Sequence, residues 1–158
     1  MITTTETKGL EPLVKDRILR LLQIPYAGSR TFKVNHRDAE YLSNCHGTTA
    51  YVYGLKDPII KQSTHPHMIL EPHMNEIIKR HFAFSNTYDI GNLICFYTLE
   101  ENYKSLIHTA LLVEPDGQIF HQSGSGGIFE IKTVEKEMGV LFSSGTREID
   151  IIKYKLRA

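Results

Sequence analysis

Leu106-Ile107-His108-Thr109-Ala110-Leu111-Leu112-Val113-Glu114-Pro115-Asp116-Gly117-Gln118-Ile119-Phe120-His121-Gln122 is the stretch on which the fold turns. An apolar run meets a Pro-Asp-Gly turn signal and returns as a second apolar run, which is the pattern of a β-hairpin. Each run carries one histidine, His108 and His121. A polar ring inside an apolar strand needs a partner or a task. In a hairpin centred near Asp116 and Gly117 the two rings can lie almost opposite one another. Two readings follow: a pair of satisfied core histidines, or a working pair.

Outward from the hairpin the period stays close to two. Leu93 to Leu99 is β-prone, and Ile128 to Lys132 and Glu148 to Leu156 read as further strands. In the last of these Ile149, Ile151, Tyr154 and Leu156 are not all in phase, which predicts a bulge there. Ser123 to Gly127 is a Gly/Ser loop, and Glu100-Glu101 reads as a solvated hairpin tip.

Before Asn86 the period is that of a helix. Pro12 opens one helix, with Leu13, Val14, Ile18, Leu21 and Leu22 on one face and Pro25 as its stop. A short helix follows Asn44, a suitable N-cap, and ends at Gly54. Pro72 opens another, from about His73 to His81. Tyr26 to Ser43 reads as a long surface loop, Lys56 to Leu70 as irregular, and residues 1–8 as a flexible tail. The expectation is one α+β domain over 1–158: N-terminal helices packed on a mostly antiparallel sheet of five or six strands.

The composition is that of an ordinary globular chain. It has 158 residues, 41% hydrophobic and 23% charged, with Lys plus Arg and Asp plus Glu both 18 and a formal net charge of zero. That balance argues against nucleic acid or an anionic membrane as the main partner. No stretch approaches the roughly 18 apolar residues of a membrane span, so no membrane insertion is expected. The opening MITTTETK has no signal-peptide core after it. The expectation is that the chain acts in the cytoplasm, leaves by a signal-independent route, or has had its natural N-terminus trimmed. The two cysteines, Cys45 and Cys95, make no disulfide framework, and Cys95, between Ile94 and Phe96, reads as core.

Cys45 is the residue with chemistry. A thiol at a helix start feels the helix dipole and free backbone N–H groups, which favour thiolate. The same N–H groups can hold an oxyanion, and Gly47 would let a substrate backbone approach. The bland alternative is a small buried residue. With His108 as base and His121 orienting it, Cys45 completes a generalised triad.

The motifs also resemble a known family. Asn44-Cys45-His46-Gly47 resembles the Asp-Cys-Ser-Gly nucleophile motif of the NlpC-type cell-wall cysteine peptidases, which have a papain-like fold. Ile90-Gly91-Asn92-Leu93-Ile94-Cys95-Phe96 is similar to the family's Gly-Asp-Leu-Val-Phe-Phe strand. His108-Thr109-Ala110-Leu111-Leu112-Val113 resembles its His-Val-Gly-Ile-Tyr strand, and Gly117-Gln118-Ile119-Phe120-His121 its Gly-Lys-Phe-Ile-His strand. Pro25-Tyr26-Ala27-Gly28 is similar to its Tyr-x-x-Gly-Gly segment.

The resemblance implies hydrolysis of an amide bond in peptidoglycan stem peptides, of the γ-D-glutamyl–diamino acid type, without metal or cofactor. It implies Cys45 as nucleophile, His108 as proton shuttle, His121 as orienting residue, and Tyr26 as an oxyanion donor. Asn44 and His46 stand where the family has Asp and Ser, in the shell that touches substrate, and Asn92 and Ser29 depart from the pattern too. These departures leave open a related amidase or acyltransferase with a non-cell-wall substrate. They also leave open an effector that an immunity protein or inhibitor would bind, and a catalytically inactive binding module. A separate reading takes His65, His67 and His73, with His81, as ligands of a transition metal, though no familiar ligand pattern completes that set.

Overall fold

The computed structural model of the protein describes residues 9–24, 31–34, 37–40, 43–57, 66–100, 102–124, 126–145 and 148–157. The expected tail, Pro25, Tyr26 and His65 lie outside these residues. Helix α1 (Pro12–Leu22) is followed by strands β1 (Thr31–Val34) and β2 (Arg37–Glu40), then by α2 (Cys45–Tyr53) and α3 (Glu71–His81). The rest runs β3 (Phe82–Ser85), β4 (Leu93–Glu100), β5 (Tyr103–Glu114), β6 (Gln118–Gln122), β7 (Phe129–Thr133), α4 (Val134–Ser143) and β8 (Ile149–Leu156). Six strands form an antiparallel sheet in the order β3-β8-β4-β5-β6-β7. The protein is thus α+β, as the change of period predicts. No helix among the described residues is long and apolar enough to cross a membrane.

Both faces of the sheet are covered, which is why β5 reads as a continuous apolar run rather than an alternating one. On one face Ile18 and Leu21 of α1 and Val52 of α2 pack on Leu111, Val113 and Phe120. Beside them Ala50 of α2 and Met74, Ile77 and Ile78 of α3 pack on Leu93, Cys95, Tyr97 and Leu106. On the other face Val134, Met138 and Leu141 of α4 cover Ile94, Phe96, Ala110, Leu112 and Ile119. From His108 onward the odd–even split of β5 between these clusters is the two-residue period of a strand, while before it Leu106 and Ile107 take the opposite phase.

The structure differs from the sequence reading in four places. Within the expected loop over Tyr26 to Ser43, β1 and β2 form a two-stranded antiparallel pair. Phe82–Ser85 is a strand that pairs with β8 at the edge of the sheet. The expected bulge in the last strand is absent: β8 pairs with β4 in one continuous register. Irregularities lie instead in β4–β5, where Phe96 faces His108 but Tyr97 faces Leu106, so that Ile107 is the extra residue, and in β5–β6 between Leu112 and Glu114. Finally, α4 fills a stretch to which the sequence reading assigns no element. Its signals are ordinary ones. Thr133 caps it by accepting from the Lys136 N–H, Glu135 and Glu137 sit in the first turn, and Val134, Met138 and Leu141 recur at helical spacing.

Candidate functional site

Cys45 is the first residue of α2. The Asn44 side chain accepts from the Gly47 N–H at 2.9 Å and so caps the helix, and Gly54 ends it in the left-handed conformation (φ 66°). The same amide ties down the segment crossing the helix start: Nδ2 donates to the Ile69 carbonyl at 2.7 Å, and Oδ1 accepts from the Ile69 N–H at 3.1 Å. Asn44 is therefore a cap and a strut, with both atoms of its amide engaged by the protein's own backbone. Gly47 also has a different role from the expected one. A Cβ there would collide with the carbonyl oxygen of His67, so the glycine admits the protein's own backbone rather than a substrate's.

The neighbours of Cys45 are His46 and Thr109. Its sulfur lies 3.7 Å from His46 Nδ1, and that nitrogen lies 2.9 Å from Thr109 Oγ1. Thr109 in turn donates to Thr49 at 3.4 Å. His46 is buried, and its ring lies against the thiol. Burial pushes the Cys45 thiol up, and hydrogen bonds from the backbone of Thr109 and His46 only partly offset it. The expected shift toward thiolate is thus reversed, because loss of hydration outweighs the helix start. Burial also lowers His46, to about 4, against a raising influence from Glu71.

His108 and His121 do meet, as the hairpin predicts. His108 Nε2 and His121 Nδ1 are 2.7 Å apart and the rings stand edge to face. They meet on the α4 face of the sheet. His108 Nε2 is 3.2 Å from Glu137 Oε2, and His121 Nε2 is 3.0 Å from Glu130 Oε1. The His108 ring also packs against Phe96. Lys132 Nζ lies 2.8 Å from Glu137 Oε1, an ion pair outside hydrogen-bond angles, and 3.3 Å from Glu130.

The expected triad is therefore split. Thr109 points to α2, where Cys45 is, so its neighbour His108 must point away from α2. The contacts agree: His108 touches Glu137 of α4, and Cys45 touches His46 and Thr109. His108 is not the partner of Cys45, and His121 orients an imidazole that serves no thiol.

The histidine pair is held neutral. Burial lowers His108 well below the ordinary range, and the charges that His121, His46 and Lys132 can carry add to it. Burial lowers His121 as well, with Glu137 and Glu130 pulling the other way. With both rings neutral, His121 donates from Nε2 to Glu130 and accepts at Nδ1 from His108.

Sequence reasoning missed Glu130, Lys132, Glu137 and Thr109. Thr109 and Glu130 carry no local signal of their role, since it comes from which face they share. Of the other histidines, His73 is exposed on α3 and His81 pairs with Asp57 at 2.7 Å, so these two do not converge on a metal site. Among the described residues, the group of metal-ligating side chains that does converge is His108, His121 and Glu137.

No family model, curated protein or solved structure matches this chain. The likeness to the NlpC-type peptidases therefore rests on the motifs quoted above.

Proposed function

We propose that the chain is a thiol hydrolase of the NlpC type, with a papain-like arrangement, that cleaves an amide bond in a peptidoglycan stem peptide. Cys45 is the nucleophile, and His46 takes the part that the motif pattern gives to His108. The observation that carries this reading is the 3.7 Å approach of the His46 imidazole to a thiol at the first residue of α2. A nucleophile with a base in reach, and the base held by a third group, is the general form of such sites. Here the Thr109 hydroxyl meets the same ring nitrogen, Nδ1, that faces the thiol, so it holds that nitrogen in place rather than the far side of the ring.

In this mechanism the resting pair is neutral thiol and neutral imidazole, which agrees with a thiol pushed up and a His46 pushed down. As sulfur adds to the carbonyl carbon, its proton passes to His46 Nδ1. This needs the Nε2–H tautomer of the neutral ring, in which the Thr109 hydroxyl turns from Thr49 to donate to Nδ1 and then yields to the thiol proton. The backbone N–H groups of Cys45 and His46 are the donors for the developing oxyanion, since those of Gly47 and Thr48 are held by Asn44. His46 then returns the proton to the departing amine, leaving a thioester. Water hydrolyses the thioester, giving up a proton to His46, and the thiol is restored.

A catalytically inactive binding module is the second reading. It is favoured by the burial of Cys45 and by the His67 carbonyl that closes the space beside Gly47. Digestion of purified stem peptides, read by mass spectrometry, separates the two. The hydrolase predicts cleavage by wild type and by His108→Ala, and none by Cys45→Ala or His46→Asn. Cleavage lost in His108→Ala, but kept in His46→Asn, would return the base to His108. No cleavage by the wild type of any stem peptide would leave the binding module.

A further inference from the structure

The buried cluster beneath α4 is not used by the thiol chemistry, and its composition is unusual for a core. His108, His121 and Glu137 are 3%, 0% and 3% exposed. Their facing atoms, His108 Nε2, His121 Nδ1 and Glu137 Oε2, form a triangle with sides of 2.7, 3.2 and 3.8 Å. A point about 2 Å from all three atoms exists close to their plane, which is the length of a zinc–imidazole or zinc–carboxylate bond.

We propose that His108 Nε2, His121 Nδ1 and Glu137 Oε2 form a binding site for a divalent transition metal ion of the zinc class. Two imidazoles and one carboxylate are a donor set that zinc takes in sites with three protein ligands.

Three further features support it. The nitrogen of His121 that faces away from the triangle bonds a carboxylate, Glu130, at 3.0 Å. Metal-bound histidines commonly carry that outer partner, which fixes tautomer and ring orientation. Lys132 engages the other oxygen of Glu137, so Oε2 is left to face the imidazoles. By formal charge the group holds two carboxylates against one ammonium, a surplus of one negative charge beside the two imidazoles. A divalent cation reverses that surplus and replaces the 2.7 Å contact between two imidazoles by two metal bonds. No proton need leave: His108 moves its ring proton from Nε2 to Nδ1.

The competing reading is a hydrogen-bonded core cluster with no ion. Full-length protein, freed of metal by chelator, should be titrated with zinc by calorimetry and with cobalt(II) by visible absorption. Ring-nitrogen NMR of the histidines should be recorded alongside. The site predicts one equivalent of metal, strong tetrahedral cobalt bands, and shifts confined to His108 and His121. Glu137→Gln, which keeps the shape of the side chain, should abolish stoichiometric binding while the protein stays folded by circular dichroism. Glu130→Gln should weaken affinity about 10- to 100-fold. Cys45→Ser should bind like wild type, so the outcome is independent of the thiol reading. No stoichiometric uptake by the wild type overturns the proposal. So does uptake unchanged in Glu137→Gln and Glu130→Gln, or NMR shifts at His73 and His81 instead.

Discussion

His108 and Thr109 are consecutive on β5 and face opposite sides of the sheet, the imidazole toward Glu137 of α4 and the hydroxyl toward His46 of α2. One peptide unit thus separates two polar clusters. The thiol, His46, Thr109 and Thr49 belong to one. The histidine pair, two glutamates and Lys132 belong to the other. Substitutions in the two should act independently unless the sheet itself is disturbed.

Lys132→Met removes the ammonium that neutralises a buried carboxylate. Leaving Glu137 without it should cost about 3–5 kcal/mol, the range for breaking one side of a buried pair. Lys104→Ala breaks a pair of half-exposed side chains, Lys104 and Asp150, and should cost under about 1 kcal/mol. Urea unfolding of both variants checks the contrast. Equal losses would mean that the α4 cluster carries no special electrostatic weight.

Acid should weaken the fold earlier than its carboxylates alone require. His46, lowered to about 4, and His108 and His121, also lowered, stay neutral in the folded chain but take up protons when it unfolds. The unfolded state therefore binds more protons below about pH 6.5, so stability falls as the pH falls from there. For His46 the loss levels off near pH 4. Each such histidine contributes up to about 1.4 kcal/mol per pH unit. Urea midpoints at pH 7.5, 6.5 and 5.5 should show a loss about threefold larger in the lower interval, and His46→Asn should reduce its slope by up to one proton.

Gly47→Ala places a methyl group against the His67 carbonyl, a backbone atom that cannot swing aside. The expected loss is about 3 kcal/mol or more, the upper end of overpacking. Gly117→Ala has open space, and its penalty is the positive φ of 100° alone, about 1 kcal/mol. Thermal melts of the two variants give the comparison, and near-equal melting temperatures would show that the 66–69 segment yields.

Alkylation of Cys45 should be slow at pH 7, slower than for a free cysteine, and should rise with pH beyond the ordinary thiol range. Cys95, fully buried in the sheet, should react only on unfolding. Rapid modification of Cys45 near pH 6 would show a thiolate, contrary to the burial of this sulfur.

The sequence by itself determined the elements whose signals are local. Pro12, Asn44, Gly54 and Pro72 mark helix ends, because φ preference and capping act within one turn. The Pro115–Gly117 turn and its flanking apolar runs determined the hairpin, and with it the meeting of His108 and His121. Cys45 at a helix start was legible for the same reason. Tertiary structure alone decided which face each residue presents. A bulge at Ile107, invisible in composition, and the burial of both faces of β5 removed the alternation from which a face could have been read. That choice gave the thiol to His46 and Thr109 and the histidine pair to Glu137. It also decided protonation, since burial, which depends on the whole fold, outweighs the helix start at Cys45.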